Sequence, residues 1–286
     1  MVLNIVVLSR HTEDMVRRGQ QFREKDYLDR RNVHAEEVAR FRAKRKEIRE
    51  KTMNAWEDGN YVSFLVSGFK VAVNVFKKEP PPPVMEAETT EEKVWKSGKS
   101  GEDQLLLILG NQLGLEWTAI YGYTNRKGEA DLILVGPPGV LGIEIKHLNG
   151  TINCNGDIWS RDKYDNYGNC VEWGIPIADR KGRSPAQQIN DVCYDLRRFL
   201  NKRNKNPYFG TAVVLTHPKC WLGNYQNLTT YVCRADYFDI NTCMQPGGPC
   251  LSQKDVSDLV KLIIQDHNYH AMRDKERKRN HNSKAG

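Results

Sequence analysis

No cysteine precedes Cys154, and the seven from there onward include no Cys-x-x-Cys pair. An odd count without tight pairs argues against a disulfide framework and a zinc ribbon. His217 and Cys220 stand at H-x-x-C spacing with Cys233, Cys243 and Cys250 downstream. Structural zinc usually shows two tight pairs, so reduced thiols in a cytoplasmic protein are expected instead. Long apolar runs are scarce too. The strongest in the first half, Tyr61 to Phe76, is interrupted by Lys70 and falls short of the roughly 20 residues of a spanning helix. It reads as a packed helix or hairpin, and no membrane partner is expected. "MVLNIVVL" lacks a basic lead and a small-residue cleavage site, so it suggests a short buried strand and no secretory signal. A phosphate loop is missing as well: "SGKSGE" holds Gly-Lys-Ser, but Lys99 would need glycine at position 94, which is Val94.

What is present is uneven. The chain has 286 residues and a net charge of +7. Arg10 to Lys51 holds 14 Lys/Arg against 9 Asp/Glu, and Arg273 to Gly286 holds 6 against 2. Those two ends contribute +5 and +4, so the rest is about −2 and slightly acidic. Basic arms suit a polyanion such as nucleic acid, and they equally suit a solvated surface.

Glu13 to Glu57 contains no proline and one glycine, Gly19, and reads as long helix. Val38, Phe41 and Ile48 suggest a heptad seam that Arg45 breaks, too few repeats for a coiled coil but compatible with self-association. "KKEPPPPVMEAETTEEK" cannot continue a helix and reads as a linker. The expected organisation is a helical region over 1–78, a Pro-rich acidic linker over 79–97, a folded domain over 98–270 and a basic, disordered tail over 271–286.

In "GEDQLLLILGNQLG", Leu105, Leu106, Ile108, Leu109 and Leu113 share a helical face. "WTAIYGY", "ADLILVG" and "GVLGIEIK" read as strands, and "TINCNGDIW" as a further hairpin. "SPAQQINDVCYDLRRFLNKR" is a helix with serine at the N-cap and proline at N1. "GTAVVLTH" and "TYVCRA" are strands, and "SQKDVSDLVKLIIQDH" is a last amphipathic helix. Helix, three strands, helix, strand predicts an α/β domain with a mixed central sheet flanked by helices.

That sheet carries charge where it should not. Glu144 and Lys146 alternate with Ile143 and Ile145, so they share one face of a strand. Asp131 lies on the preceding strand across the turn "GPPG", which places it opposite positions 144 to 146. Idle carboxylates are costly among buried strands, whereas a divalent cation would relieve their repulsion. Mg²⁺ needs one or two carboxylates plus water and phosphate, and Lys146 beside it can orient or help deprotonate a water. An edge-strand ion pair is the alternative for Glu144 and Lys146, and simple strand capping for Asp131.

The triplet resembles the D…E-x-K signature of the PD-(D/E)XK nucleases. The wider segment, from about Gly101 to Asn224, is similar to their nuclease-related branch, NERD: "GE" opening the first helix, "ADLILVGPPGVLGIEIKHLNGTI", "GDIW", and "SPAQQ" opening the second. It departs from the family at His147, where asparagine is expected. The resemblance implies a restriction-endonuclease-like core and metal-dependent phosphodiester hydrolysis with Mg²⁺ or Mn²⁺. Asp131, Glu144 and the Ile145 carbonyl would hold the metal, and Lys146 would position the water. Glu102 would reach the metal from the first helix, and Gln188 would add a contact from the second, with Gln187 as its rival. Glu102 at a helix start is also favoured by the macrodipole alone, and Gln188 can equally be an exposed helix residue.

Trp159, Trp173, Tyr164 and Tyr167 surround "SRDKYDNYGNCVEWG" and either stack on bases or, the preferred reading, pack a hairpin on the sheet. Nucleic acid is thus the expected partner, DNA ahead of RNA and endonucleolytic, with homo-oligomerisation through the N-terminal helix. A non-cleaving nucleic-acid-binding module and a helical scaffold are the rivals.

Overall fold

A computed structural model of the chain describes all residues except 1, 2, 10, 77, 166, 245–249 and 283–286. The chain forms two compact units, Met15–Lys93 and the combination of Met1–Asp14 with Val94–Gly286.

In the first unit, helix α1 (His11–Glu57) is followed by α2 (Tyr61–Phe76). Trp56 and Phe64 pack at 5.0 Å across the corner, and Asn60 caps the start of α2 through Ser63 N–H. Val38, Phe41 and Ile48 are half-buried, and the Arg45 guanidinium, which breaks the seam, lies 4.6 Å over the Phe41 ring. The stretch expected to be a free linker is tied down. Glu79 pairs with Arg42, the Pro80 carbonyl contacts His34, Glu86 pairs with Arg30, and Glu92 with Arg23. The acidic segment thereby runs back along the basic helix. A capping box between Thr89 and Glu92 then starts α3 (Thr90–Gln112), several residues before the boundary at 97/98 read from sequence. Among the described residues no helix is long and apolar enough to cross a membrane.

The second unit contains two mixed sheets. The larger has the order β1-β2-β3-β4-β8-β10, from β1 (Asn4–Val7), β2 (Thr118–Asn125), β3 (Gly128–Gly136), β4 (Gly139–Lys146), β8 (Phe209–Leu215) and β10 (Tyr231–Arg234). The first strand runs parallel to β2 as an edge, largely exposed rather than buried, so residues 4–7 belong to this unit. The smaller sheet has the order β7-β6-β5-β9, from β5 (Gly150–Asn155), β6 (Ile158–Tyr164), β7 (Cys170–Pro176) and β9 (Cys220–Gln226). A short helix, α5 (Ile240–Cys243), precedes the last one, α6 (Gln253–Asn282). The latter continues well past the start of the tail expected at 271.

Alternation builds two cores. On one face of the large sheet, Ile133, Val135, Val140, Val213 and Leu215 pack with Ile189 and Leu196 of α4 (Pro185–Asn201) and with Leu259 and Ile263 of α6. On the other, Leu132, Leu134, Leu141 and Ile143 pack with Leu105, Leu109 and Leu113 of α3. One buried polar bond ties α6 to the sheet: Tyr123 Oη donates to Asp266 Oδ2 at 2.5 Å. Tyr123→Phe leaves that buried carboxyl without its donor and should cost about 1–3 kcal/mol, read as a lower urea midpoint. An unchanged midpoint would show that this bond does not hold α6 in place.

Candidate active site

The β3–β4 hairpin closes at Gly136 opposite Gly139, and its register runs down to Leu132 opposite Ile143. One step further puts Asp131 opposite Glu144, on the face of Ile133 and Val213. Gly122, in the left-handed region (φ 64°), interrupts the neighbouring β2–β3 ladder beside Asp131. With the ladder loosened there, Asp131 Oδ2 accepts from Ile145 N–H at 2.7 Å. Lys146 Nζ donates to Glu144 Oε1 at 2.6 Å. The three side chains converge on one face at the carboxyl end of β4.

Their electrostatics are coupled. Burial raises the pKa of Asp131, against the Lys146 charge and the Ile145 amide. Burial, then the Asp131 charge, pushes Glu144 up to about 8. Burial works against the Lys146 ammonium, but Glu144 and Asp131 outweigh it and hold its pKa above the ordinary lysine value. These shifts pull against each other, since Lys146 is held charged by carboxyls that burial prefers neutral. The 2.6 Å contact favours the charged lysine, so the charge state that serves all three at neutral pH is one proton shared by the two carboxyls.

Glu144 is only 4% exposed, and the site opens through Lys146. Lys146 lines a cleft of about 270 Å³ together with Arg161, Ile177, Asp179 and Gln188. Gln187 is turned elsewhere: its amide N–H donates to Ser184 Oγ and its side chain accepts from Ser184 N–H, a capping box that opens α4. Of the two rivals, Gln188 is the one in the cleft. His147 faces away from Glu144 and contacts Thr216 Oγ1 at 2.9 Å.

Glu102 is not brought into the same cleft. Because α3 packs by Leu105 and Leu109 on the opposite face, Glu102 lines a separate depression with Glu13, Lys99, Asp103 and Tyr121. Beside it the Tyr121 hydroxyl has its pKa raised by burial first and then by Glu102, Asp103 and Asp131. Among the described residues no three His, Cys, Asp or Glu side chains form a metal-holding group, so neither Glu102 nor the His217/Cys220 set completes one. Two residues not singled out from sequence stand near the pair. Glu129 lies two positions before Asp131 on the same strand face and is exposed. Arg161 comes from β6, and no local signal marks it.

The donor chemistry fits a hydrated divalent cation better than a protein-caged one. Mg²⁺ accepts one or two carboxylates and keeps its waters. The Tyr121 hydroxyl, buried without a hydrogen-bond partner among the described residues, belongs to the Glu102 depression and not to this cleft. A separate cavity of about 480 Å³, lined by Arg126, Asp195, Arg198, Arg203, Asp266 and His270, contains none of the triplet.

No curated protein and no solved structure matches the chain. Residues 97–216, less than half of the chain, match the family model of NERD, the nuclease-related domain, and Asp131, Glu144, Lys146 and Gln188 all lie within that segment.

Proposed function

We propose that the segment 98–270 hydrolyses phosphodiester bonds of nucleic acid, DNA ahead of RNA and endonucleolytically, with Mg²⁺ or Mn²⁺. The observation that carries this is the convergence of Asp131, Glu144 and Lys146 on one sheet face inside the nuclease-related segment. Asp131 and Glu144, with the Ile145 carbonyl, would hold the cation. When bound, the cation supplies Lewis-acid polarisation of the phosphate and acidifies water. Lys146, kept protonated by its two carboxyl neighbours, donates rather than accepts: it orients the attacking water and steadies charge on the phosphoryl oxygens. Gln188 and Arg161 face the same cleft and position the substrate. The free thiols suit a reducing cytoplasm, and the exposed Leu65, Val66 and Phe69 of α2 suit self-association of the helical unit.

The test is a digestion panel of plasmid, single-stranded DNA and RNA with and without Mg²⁺, comparing the protein with Glu144→Ala. Metal-stimulated cleavage lost in the variant supports the reading. Equal cleavage by both points to another site or a contaminant, and none by either favours the second reading, a non-cleaving nucleic-acid-binding or scaffold module on this fold. The lack of a three-ligand group among the described residues is the observation on its side.

The raised carboxyls give a pH dependence. A cation must displace the shared proton, so apparent affinity for Mn²⁺ should rise about tenfold per pH unit up to about 8 and then level. Without metal the sign for stability is opposite. A folded-state pKa above the unfolded one costs stability as pH climbs through about 8, and added cation recovers it. Cation titrations across that range check both; a flat affinity would mean the carboxyls are already ionised.

A further inference from the structure

A second depression lies on the outer face of the small sheet. Strand β5 lies between β6 and β9, and Thr151 pairs with Asp162 on one side and Trp221 on the other. Directly paired residues share a face, and Tyr164 lies two positions beyond Asp162, so Thr151, Trp221 and Tyr164 point the same way. Thr151 Oγ1 donates to Tyr164 Oη at 3.3 Å. Together with Asn149, Asp165 and Lys219 they line a cavity of about 390 Å³, within the usual range for small-ligand sites.

Trp221 is 61% exposed, an unusual state for the largest apolar side chain. Its ring is nevertheless held. The Arg234 guanidinium lies 5.0 Å from it, and that arginine is itself fixed by Asp236 and the Cys220 carbonyl. A rigid ring with solvent on its free side is a stacking platform with little entropy left to lose. Charge agrees. Lys219 is exposed and has no carboxylate partner among the described residues. Asp165, the one acid in the cavity, spends its oxygens on Tyr167 N–H, Asn169 N–H and the Asn169 amide.

The cavity and the cleft lie on opposite faces of the small sheet and are linked through Arg161. Arg161, which lines the cleft with Lys146, points its guanidinium at Asn149 Oδ1 (3.5 Å), and Asn149 lines the cavity. Gly150 N–H donates to the Lys219 carbonyl at 2.8 Å, fixing the cationic rim to the strand that continues from Lys146.

We propose that this cavity receives an unpaired nucleobase stacked on Trp221, with Lys219 on its phosphate, so that the preferred substrate is single-stranded or locally unpaired nucleic acid. The proposal rests on the nuclease reading, but binding is measured without hydrolysis. A base within a duplex is stacked and paired and cannot reach such a ring, whereas a free base has its π-face available.

The test uses the full chain, with chelator present, and fluorescence anisotropy of a short labelled single-stranded oligodeoxynucleotide and its duplex. Trp221→Ala should weaken single-strand binding about tenfold or more and leave duplex binding unchanged. Trp221→Phe should keep most of it, which separates lost stacking from misfolding. Lys219→Ala should lower the slope of log affinity against log salt by about one. Unchanged single-strand affinity in Trp221→Ala, an equal loss for duplex, or no binding by the parent protein overturns the subsite. Cleavage with an inert Trp221 removes the subsite and leaves the nuclease. A Trp221-dependent binder that never cleaves does the reverse.

Discussion

Lys146→Ala should lower metal-dependent cleavage by about 100- to 1,000-fold, the usual loss when one preorganised donor is removed from developing charge. The ammonium is not a spectator, because burial alone would make it expensive and two carboxyls hold it in place. Glu144→Ala should fall to a similar floor, and the double variant little further, since the two groups act as one unit. Lys146→Arg should not rescue. A planar guanidinium cannot take the place of a compact ammonium 2.6 Å from Glu144 Oε1 in an enclosed site. Initial rates on labelled oligonucleotides, with circular dichroism to show that each variant folds, decide it. A loss below tenfold in Lys146→Ala would place the chemistry elsewhere.

Gly142→Val should be the most damaging single change to the fold near the site, costing about 3 kcal/mol or more. Gly142 lies on the face of β4 that carries Glu144 two residues on, directly under α4. A Cβ there would run into Cys193 Sγ and stand 3.0 Å from Ile189 Cδ1. Both neighbours are fully packed, so α4 must lift, and Gln188 on its first turns would lift with it. Thermal unfolding should show a large drop, and any folded fraction should show weakened cleavage. A variant as stable as the parent would mean that the α4–sheet interface is looser than its packing implies.

The strands that carry the triplet were legible because everything that fixes them is local. "GPPG" closes the hairpin, the two-residue period sets faces, and together they place Asp131 against Glu144 without any distant contact. Helix α4 was legible for the same reason. The choice between Gln187 and Gln188 was left open, and the structure separates them: Gln187 closes a capping box with Ser184, whereas Gln188 lines the cleft and donates to the Arg183 carbonyl. Glu102 illustrates the limit. The sequence suggested a helix start at Glu102, but α3 begins at Thr90 and leaves it mid-helix, and which side of the sheet the helix covers is decided by Leu105, Leu109 and Leu113 meeting Leu132 and Ile143. The small sheet was only partly visible. "CWLGNYQ" contains Gly and Asn and looks like loop, and it becomes β9 only by pairing in parallel with β5, about 70 residues earlier. That non-local pairing creates the cavity at Trp221. The aromatics divide accordingly: Trp159 is buried at 3%, as the packing reading expected, whereas Trp173 is 73% exposed and Tyr167 more so. The acidic stretch after Pro80–Pro83 was read as free because its partners, Arg23, Arg30 and Arg42, lie far back on α1.

The most direct measurement is a calorimetric titration of Mn²⁺ into the parent protein, Asp131→Ala and Glu144→Ala, run in two buffers of different ionisation heat. The account predicts that the parent binds a cation near neutral pH with release of a proton and that each variant loses that event. Equal uptake in all three proteins would contradict it.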